Sequence, residues 1–184
     1  MSSTCDPAHA PVGDVGAALM MIDSRLKGVH AGKTRIDPEQ RAMIDQFTAS
    51  LDSRGAHDVL EGACTLIYMY MQWLRSAYED HDRDVLEYVV PSTVATMRMM
   101  PRSVSPEAIP SMAGLIVAAG TGLSPSLWRQ QYGYWTKEEM TPLEVTAFLL
   151  AEHINRLTED PDFATRLITD ALTRADEDAA ADTD

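Results

Sequence analysis

Five times beyond residue 13 of this 184-residue chain a Ser, Thr or Asp is followed at once by proline: Asp37-Pro38, Ser105-Pro106, Ser124-Pro125, Thr141-Pro142 and Asp160-Pro161. The first residue of such a pair can accept a hydrogen bond from an orphan N–H of a helix's first turn. Proline at the next position loses nothing, because its missing donor would have no partner there. Two pairs add a side chain that can reach back to the cap, Gln40 after Asp37 and Glu144 after Thr141. No segment alternates polar and apolar residues for long, so a sheet is not expected. The chain reads as all-α, a compact single-domain bundle or array of six to eight helices.

Apolar spacing places helices at about 14–28, 38–53, 56–79, 83–100, 106–119, 125–132, 142–158 and 161–177. The segment 56–79 stands apart. Val59, Leu60, Ala63, Cys64, Leu66, Ile67, Tyr70, Met71, Trp73 and Leu74 cover nearly all its sides. A helix apolar all round must be enclosed by others, so this one belongs at the centre. Pro91 is expected to kink or split the helix at 83–100, and Pro110 blurs the start of the one at 106–119. Residues 1–13 lack periodicity and read as an arm. Residues 14–177 form the domain, and 178–184 read as an acidic tail.

The formal charge is −13, of which the last 26 residues carry −7. No basic cluster offers a phosphate-binding surface, which argues against nucleic acid and against docking on anionic membranes. Two cysteines, Cys5 and Cys64, are too few for a disulfide scaffold or a Cys-rich zinc module. The N-terminus has no signal-peptide pattern, and the most apolar run, 63–74, is too short to span a bilayer. A cytoplasmic protein is expected.

Most chemical motifs fail on a required position. Asp80, Asp82 and Asp84 match the start of a calcium loop, but Val85 stands where glycine is needed and Pro91 where a bidentate Glu belongs. The segment reads instead as a polar turn with Asp82 capping the next helix. No Glu precedes a His by three residues, which removes the di-iron pattern. Gly120-Thr121-Gly122 follows a helix rather than a strand and reads as a helix stop. No cofactor or metal is called for.

One dipeptide has a chemical family behind it. The stretch Ala56-His57-Asp58-Val59-Leu60-Glu61 resembles the paired-ligand segment of the HD-domain metal phosphohydrolases, which are all-helical. That resemblance implies a metal held by His57 and Asp58, with His30 upstream and Asp82 or Asp84 downstream. The polar residues 52–54 and Gly55 depart from the buried helix the family has before its pair.

Two compositional features point elsewhere. Trp128, Arg129, Tyr132, Tyr134 and Trp135 fall within eight residues, with Gly133 between them. Trp, Tyr and Arg anchor interfaces because they bury large area and keep a polar handle. The same residues could also plug the gap between the flanking helices. The 11 methionines include Met20-Met21, Met69 with Met71, and Met97 with Met99-Met100, which would suit a groove for an apolar small molecule. The expected function is a non-enzymatic regulatory or binding protein that acts through 128–135 on a protein partner, self-association included. The alternatives are the HD-type phosphohydrolase and a small-molecule sensor.

Overall fold

The computed structural model describes residues 12–32, five positions between 38 and 49, and 53–181. Of the expected helix at 38–53, the described positions 38, 39, 42, 46 and 49 are helical, and the rest up to 52, with the Asp37 cap, lies outside the described residues. What is described is all-helical: α1 (Val12–His30), α2 (Ser53–Glu79), α3 (Val85–Arg98), α4 (Ile109–Gly120), α5 (Pro125–Gln130), α6 (Lys137–Thr158) and α7 (Phe163–Ala181). None of these helices is long and apolar enough to cross a membrane.

The all-round apolar helix is central, as its composition requires. α2 packs against each of the other six helices. Leu66, Ile67, Tyr70, Met71 and Leu74 have no exposed surface. Each such side chain contributes roughly 2 kcal/mol by leaving water, so enclosing α2 is the main apolar gain open to the chain. Val15, Ala18, Leu19, Ile22 and Leu26 bring α1 onto it, and Leu143, Ala147, Leu150 and Ile154 bring α6.

The proline signals divide. Ser124 caps α5, its side chain accepting from the Leu127 N–H at 3.2 Å. Thr141 does not cap α6. That helix starts five residues earlier and runs through Pro142. Thr136 and Glu139 cap it, the Thr136 N–H donating to the Glu139 carboxylate at 2.9 Å. Ser105 and Asp160 open turns rather than helices. The Ala108 N–H bonds the Ser105 carbonyl, and the Asp162 N–H bonds the Asp160 side chain. α4 then begins at Ile109 with Pro110 in its first turn, where proline is harmless.

Other boundaries also shift. Asp84, not Asp82, caps α3, accepting from the Leu86 N–H at 2.9 Å. Asp82 sits in the left-handed region instead (φ 56°) and turns the chain. α3 is not split at Pro91. α1 begins inside the expected arm, at Val12. α7 continues to Ala181, so the part of the expected tail at 178–181 is helical. Residues 1–11 and 182–184 lie outside the described residues. Buried Asn155 fixes the α6–α7 corner, donating to the Pro161 carbonyl at 2.6 Å and accepting from the Ala164 N–H at 2.8 Å.

One charged contact lies inside the packing of α1 on α6. Arg25 Nε meets Glu144 Oε1 at 3.2 Å, both side chains are largely buried, and the guanidinium lies over the Phe148 ring. Burial pushes the Glu144 carboxyl up, and the Arg25 charge only partly offsets this. A carboxylate with a raised pKa stabilises the fold fully below its unfolded value and loses that contribution as pH rises through the folded one, so the ionised pair adds little at neutral pH. Arg25→Met and Glu144→Leu are each expected to cost about 3 kcal/mol in a denaturant titration, because one charge is stranded. The double variant is expected within about 1 kcal/mol of wild type.

Candidate functional site

The five residues singled out by composition do not form one surface. Arg129 is only 5% exposed and holds the segment together from inside. Its Nε donates to Glu139 Oε1 at 2.9 Å and its Nη2 to Glu139 Oε2 at 2.5 Å, a bidentate pair. Nη1 donates to the Gly133 carbonyl at 2.9 Å, and Nη2 also to the Tyr134 carbonyl at 3.1 Å. The guanidinium lies 4.7 Å from the centroid of the half-buried Trp135 ring. One side chain therefore ties α5, the turn at 133–135 and the start of α6.

Glu139 completes this clamp. Burial pushes its carboxyl up, but the Arg129 hydrogen bonds, the Thr136 N–H and the Arg129 charge outweigh that and hold it below its ordinary value. Trp128 also packs inward. Its ring covers Gly114 of α4 so closely that a Cβ there would lie 2.2 Å from Cη2. The Tyr132 ring leans on it, with centroids 4.9 Å apart.

What faces solvent is the pair of tyrosines, Tyr132 at 68% and Tyr134 at 97% exposure. Gly133 between them has φ 101°, a conformation that leaves Tyr134 outside the helix. Val117, Leu123 and Leu127 are also exposed, so five of the ten large apolar side chains at the described surface fall between 117 and 134. Scattered exposed apolar residues need no explanation, but their concentration does. The sequence carried a signal for this surface that aromatic counting missed. From 108 to 136 the only charged residue is Arg129, and Glu139 neutralises it from within. In a chain 23% charged, a run of this length would hold about seven charges.

The other expected constellations are spread apart. His57 and Asp58 lie in the first turns of α2, whereas Asp82 and Asp84 follow its far end. More than twenty helical residues separate them, about 30 Å at 1.5 Å per residue. His57 is exposed and faces Glu61 at 3.8 Å, while the other Glu61 oxygen takes a short hydrogen bond from buried Ser126. Among the described residues no three His, Cys, Asp or Glu side chains converge as metal ligands. The ligand set implied by the HD resemblance is therefore not assembled.

The methionines among the described residues line neither of the two clefts below. Met71 and Met97 are in the core, while Met20 and Met99 face solvent. An open cleft of about 580 Å³ between the end of α2, the 80–84 turn and the end of α4 is lined by Arg75, Glu79, Arg83 and Asp84 among others, with no methionine. A smaller one of about 290 Å³ is lined by Pro101, Val104, Pro106, Ile109, Pro110 and Arg98. A separate polar contact joins α2 to α6, where Tyr78 Oη lies 3.0 Å from His153 Nε2. Desolvation, with the Arg156 charge, lowers the pKa of that histidine.

The clamp makes a signed prediction. A carboxylate held below its ordinary value stabilises the fold above that value, near 4.5, and loses the contribution as pH falls through the folded one. Glu139→Gln is expected to cost about 2 kcal/mol at pH 7 by chemical denaturation, with the gap to wild type closing toward pH 3. A gap independent of pH would mean the ion pair is not what Glu139 supplies. No family model, no curated protein and no solved structure matches this chain.

Proposed function

We propose that the chain is a non-enzymatic cytoplasmic binding protein with a regulatory role, and that it contacts a protein partner through the surface of residues 117–134. The observation that carries the reading is the pairing of opposites in this segment. Arg129 and Trp128 are spent on rigidity, while Tyr132, Tyr134, Leu123 and Leu127 stay in water. A rigid, charge-depleted, tyrosine-bearing surface has the composition of an interface centre. Because Arg129 holds the segment in place, less ordering entropy is lost on binding. A cytoplasmic setting agrees with a scaffold that rests on packing around α2 rather than on disulfides.

The test separates the two halves of the aromatic cluster. Tyr132→Ser with Tyr134→Ser is expected to leave the melting temperature within about 2 °C of wild type, because neither ring is deeply buried. Trp128→Ala is expected to lose about 2–3 kcal/mol of stability. A photo-crosslinking phenylalanine analogue at Tyr134 should give discrete protein adducts in cells, whereas the same probe at exposed Met20 on α1 should not. Equal labelling from both positions, or none from Tyr134, would remove the proposal.

A further inference from the structure

The surface at 117–134 has an edge of definite charge, and that edge narrows the partner. Gly120 and Thr121 belong to the surface and also line the cleft of about 580 Å³, together with Arg75, Glu79, Asp82, Arg83 and Asp84. One wall of the cleft is the turn from α2 to α3. Its residues 79–84 hold four carboxylates, Glu79, Asp80, Asp82 and Asp84. Two guanidiniums stand against them. Arg75 is taken up by Glu79 at 2.8 Å, and Arg83 lies over the Tyr88 ring. Among the described residues no ion pair takes up Asp80, Asp82 or Asp84.

The fold holds these acids in place. The left-handed backbone of Asp82 sets the turn, and one Asp84 oxygen caps α3, while both residues stay exposed. Val85 and Leu86 add an apolar lining, with Leu86 seated against Gly120. A further carboxylate meets α5 itself: Glu61 accepts a hydrogen bond from Ser126, with exposed His57 3.8 Å away. The apolar surface therefore has an acidic border on a chain whose net charge is −13.

Charge complementarity selects among occupants. An acidic or phosphate-bearing partner meets like charge at this border and is repelled at range by the whole chain. A basic partner gains at both distances. The net charge steers its approach, and the acids at 79–84 receive its cations on contact. An apolar centre with a charged rim is also the ordinary anatomy of an interface. The cleft has the volume of a ligand pocket, so the stem of a lysine or arginine fits it with the charged head among the acids. We infer that the partner is a protein segment in which apolar side chains are flanked by lysine or arginine. Its apolar side covers Leu123, Leu127, Tyr132 and Tyr134, and a basic side chain enters the cleft beside Asp82 and Asp84. The inference rests on the interaction reading above and names the chemistry of its partner.

The test uses a fluorescent peptide of about 18 residues with leucine on one helical face and lysine on the other, and a counterpart with glutamate for lysine. Fluorescence anisotropy with the full chain is expected to show binding of the lysine peptide only, weakening as salt rises from about 50 to 500 mM. Asp80→Asn with Asp82→Asn should weaken it about fivefold at low salt, since asparagine keeps the left-handed turn and removes two charges. Tyr132→Ser with Tyr134→Ser should weaken it about tenfold. Asp176→Asn with Asp178→Asn removes the same charge from α7 and should change affinity less than about twofold. All three variants alter exposed positions and should keep the wild-type melting transition. No binding of the lysine peptide, equal binding of the glutamate peptide, an equal loss from the α7 variant or indifference to salt would each overturn the basic partner. The crosslinking probe at Tyr134 keeps the two readings apart. Discrete adducts in cells alongside any of those results would leave the interaction surface standing and reject only the basic segment.

Discussion

The fold depends on a single constraint: the middle of α2, from Val59 to Leu74, has no polar side to give to water. Apolar residues cover its circumference from Val59 to Leu74, so every other described helix is placed by the need to cover part of it. Polar contacts then fix angles and corners rather than drive collapse. Gln72 reaches the Ala119 carbonyl at 2.7 Å, Thr165 reaches Asp23 at 3.0 Å, and Asn155 sets the last corner. Each is worth about 1 kcal/mol, small beside the burial that brought the helices together. Tyr70 fits the same ordering. Its hydroxyl is buried with no hydrogen-bond partner among the described residues, a penalty accepted so that its ring can fill the centre.

That constraint explains why α5 and its flanking turns are built as they are. α5 has only six residues and cannot hold itself by helix propensity. Its position comes from three attachments: the Ser124 cap, Trp128 seated on Gly114, and the Arg129–Glu139 clamp. The clamp links the end of one helix to the start of the next, and Glu139 also caps α6. Gly114 and Trp128 are one unit in this respect, since a side chain on the glycine would occupy the space of the indole.

What could be read in the sequence follows the range of the interaction. The centrality of α2 needed only its own composition, and the Ser124 cap only two neighbouring residues. The start of α6 was also readable, but two signals competed. Thr141-Pro142 with Glu144 looked complete, while Thr136 with Glu139 matched the same pattern without the proline. Proline at the sixth helical position removes one N–H, and the Thr136–Glu139 cap starts the helix before that loss. Asp82 and Asp84 differed only in which one turned the chain. The fate of the aromatic cluster was not local. Whether Arg129 faces water or Glu139 depends on a contact across ten residues and on the packing of α4 beneath Trp128. Composition could identify interface-type residues, but not which of them the fold would use for itself. The HD resemblance failed for a related reason. A dipeptide places two ligands, and only the path of α2 decides that the next acids lie at its opposite end.

The distribution of charge is the part of the design that folding does not explain. α7 ends in Asp176, Glu177 and Asp178, carboxylates at the negative end of a helix dipole, where cations would be favoured. Those acids do not stabilise their own helix. The run from 108 to 136 spends its only charge internally. A chain that needed acidity only for solubility could scatter it, because solubility responds to net charge far more than to its arrangement. Segregation has a different consequence. It leaves the run from 108 to 136 without net charge, and that run holds five of the ten exposed large apolar side chains among the described residues.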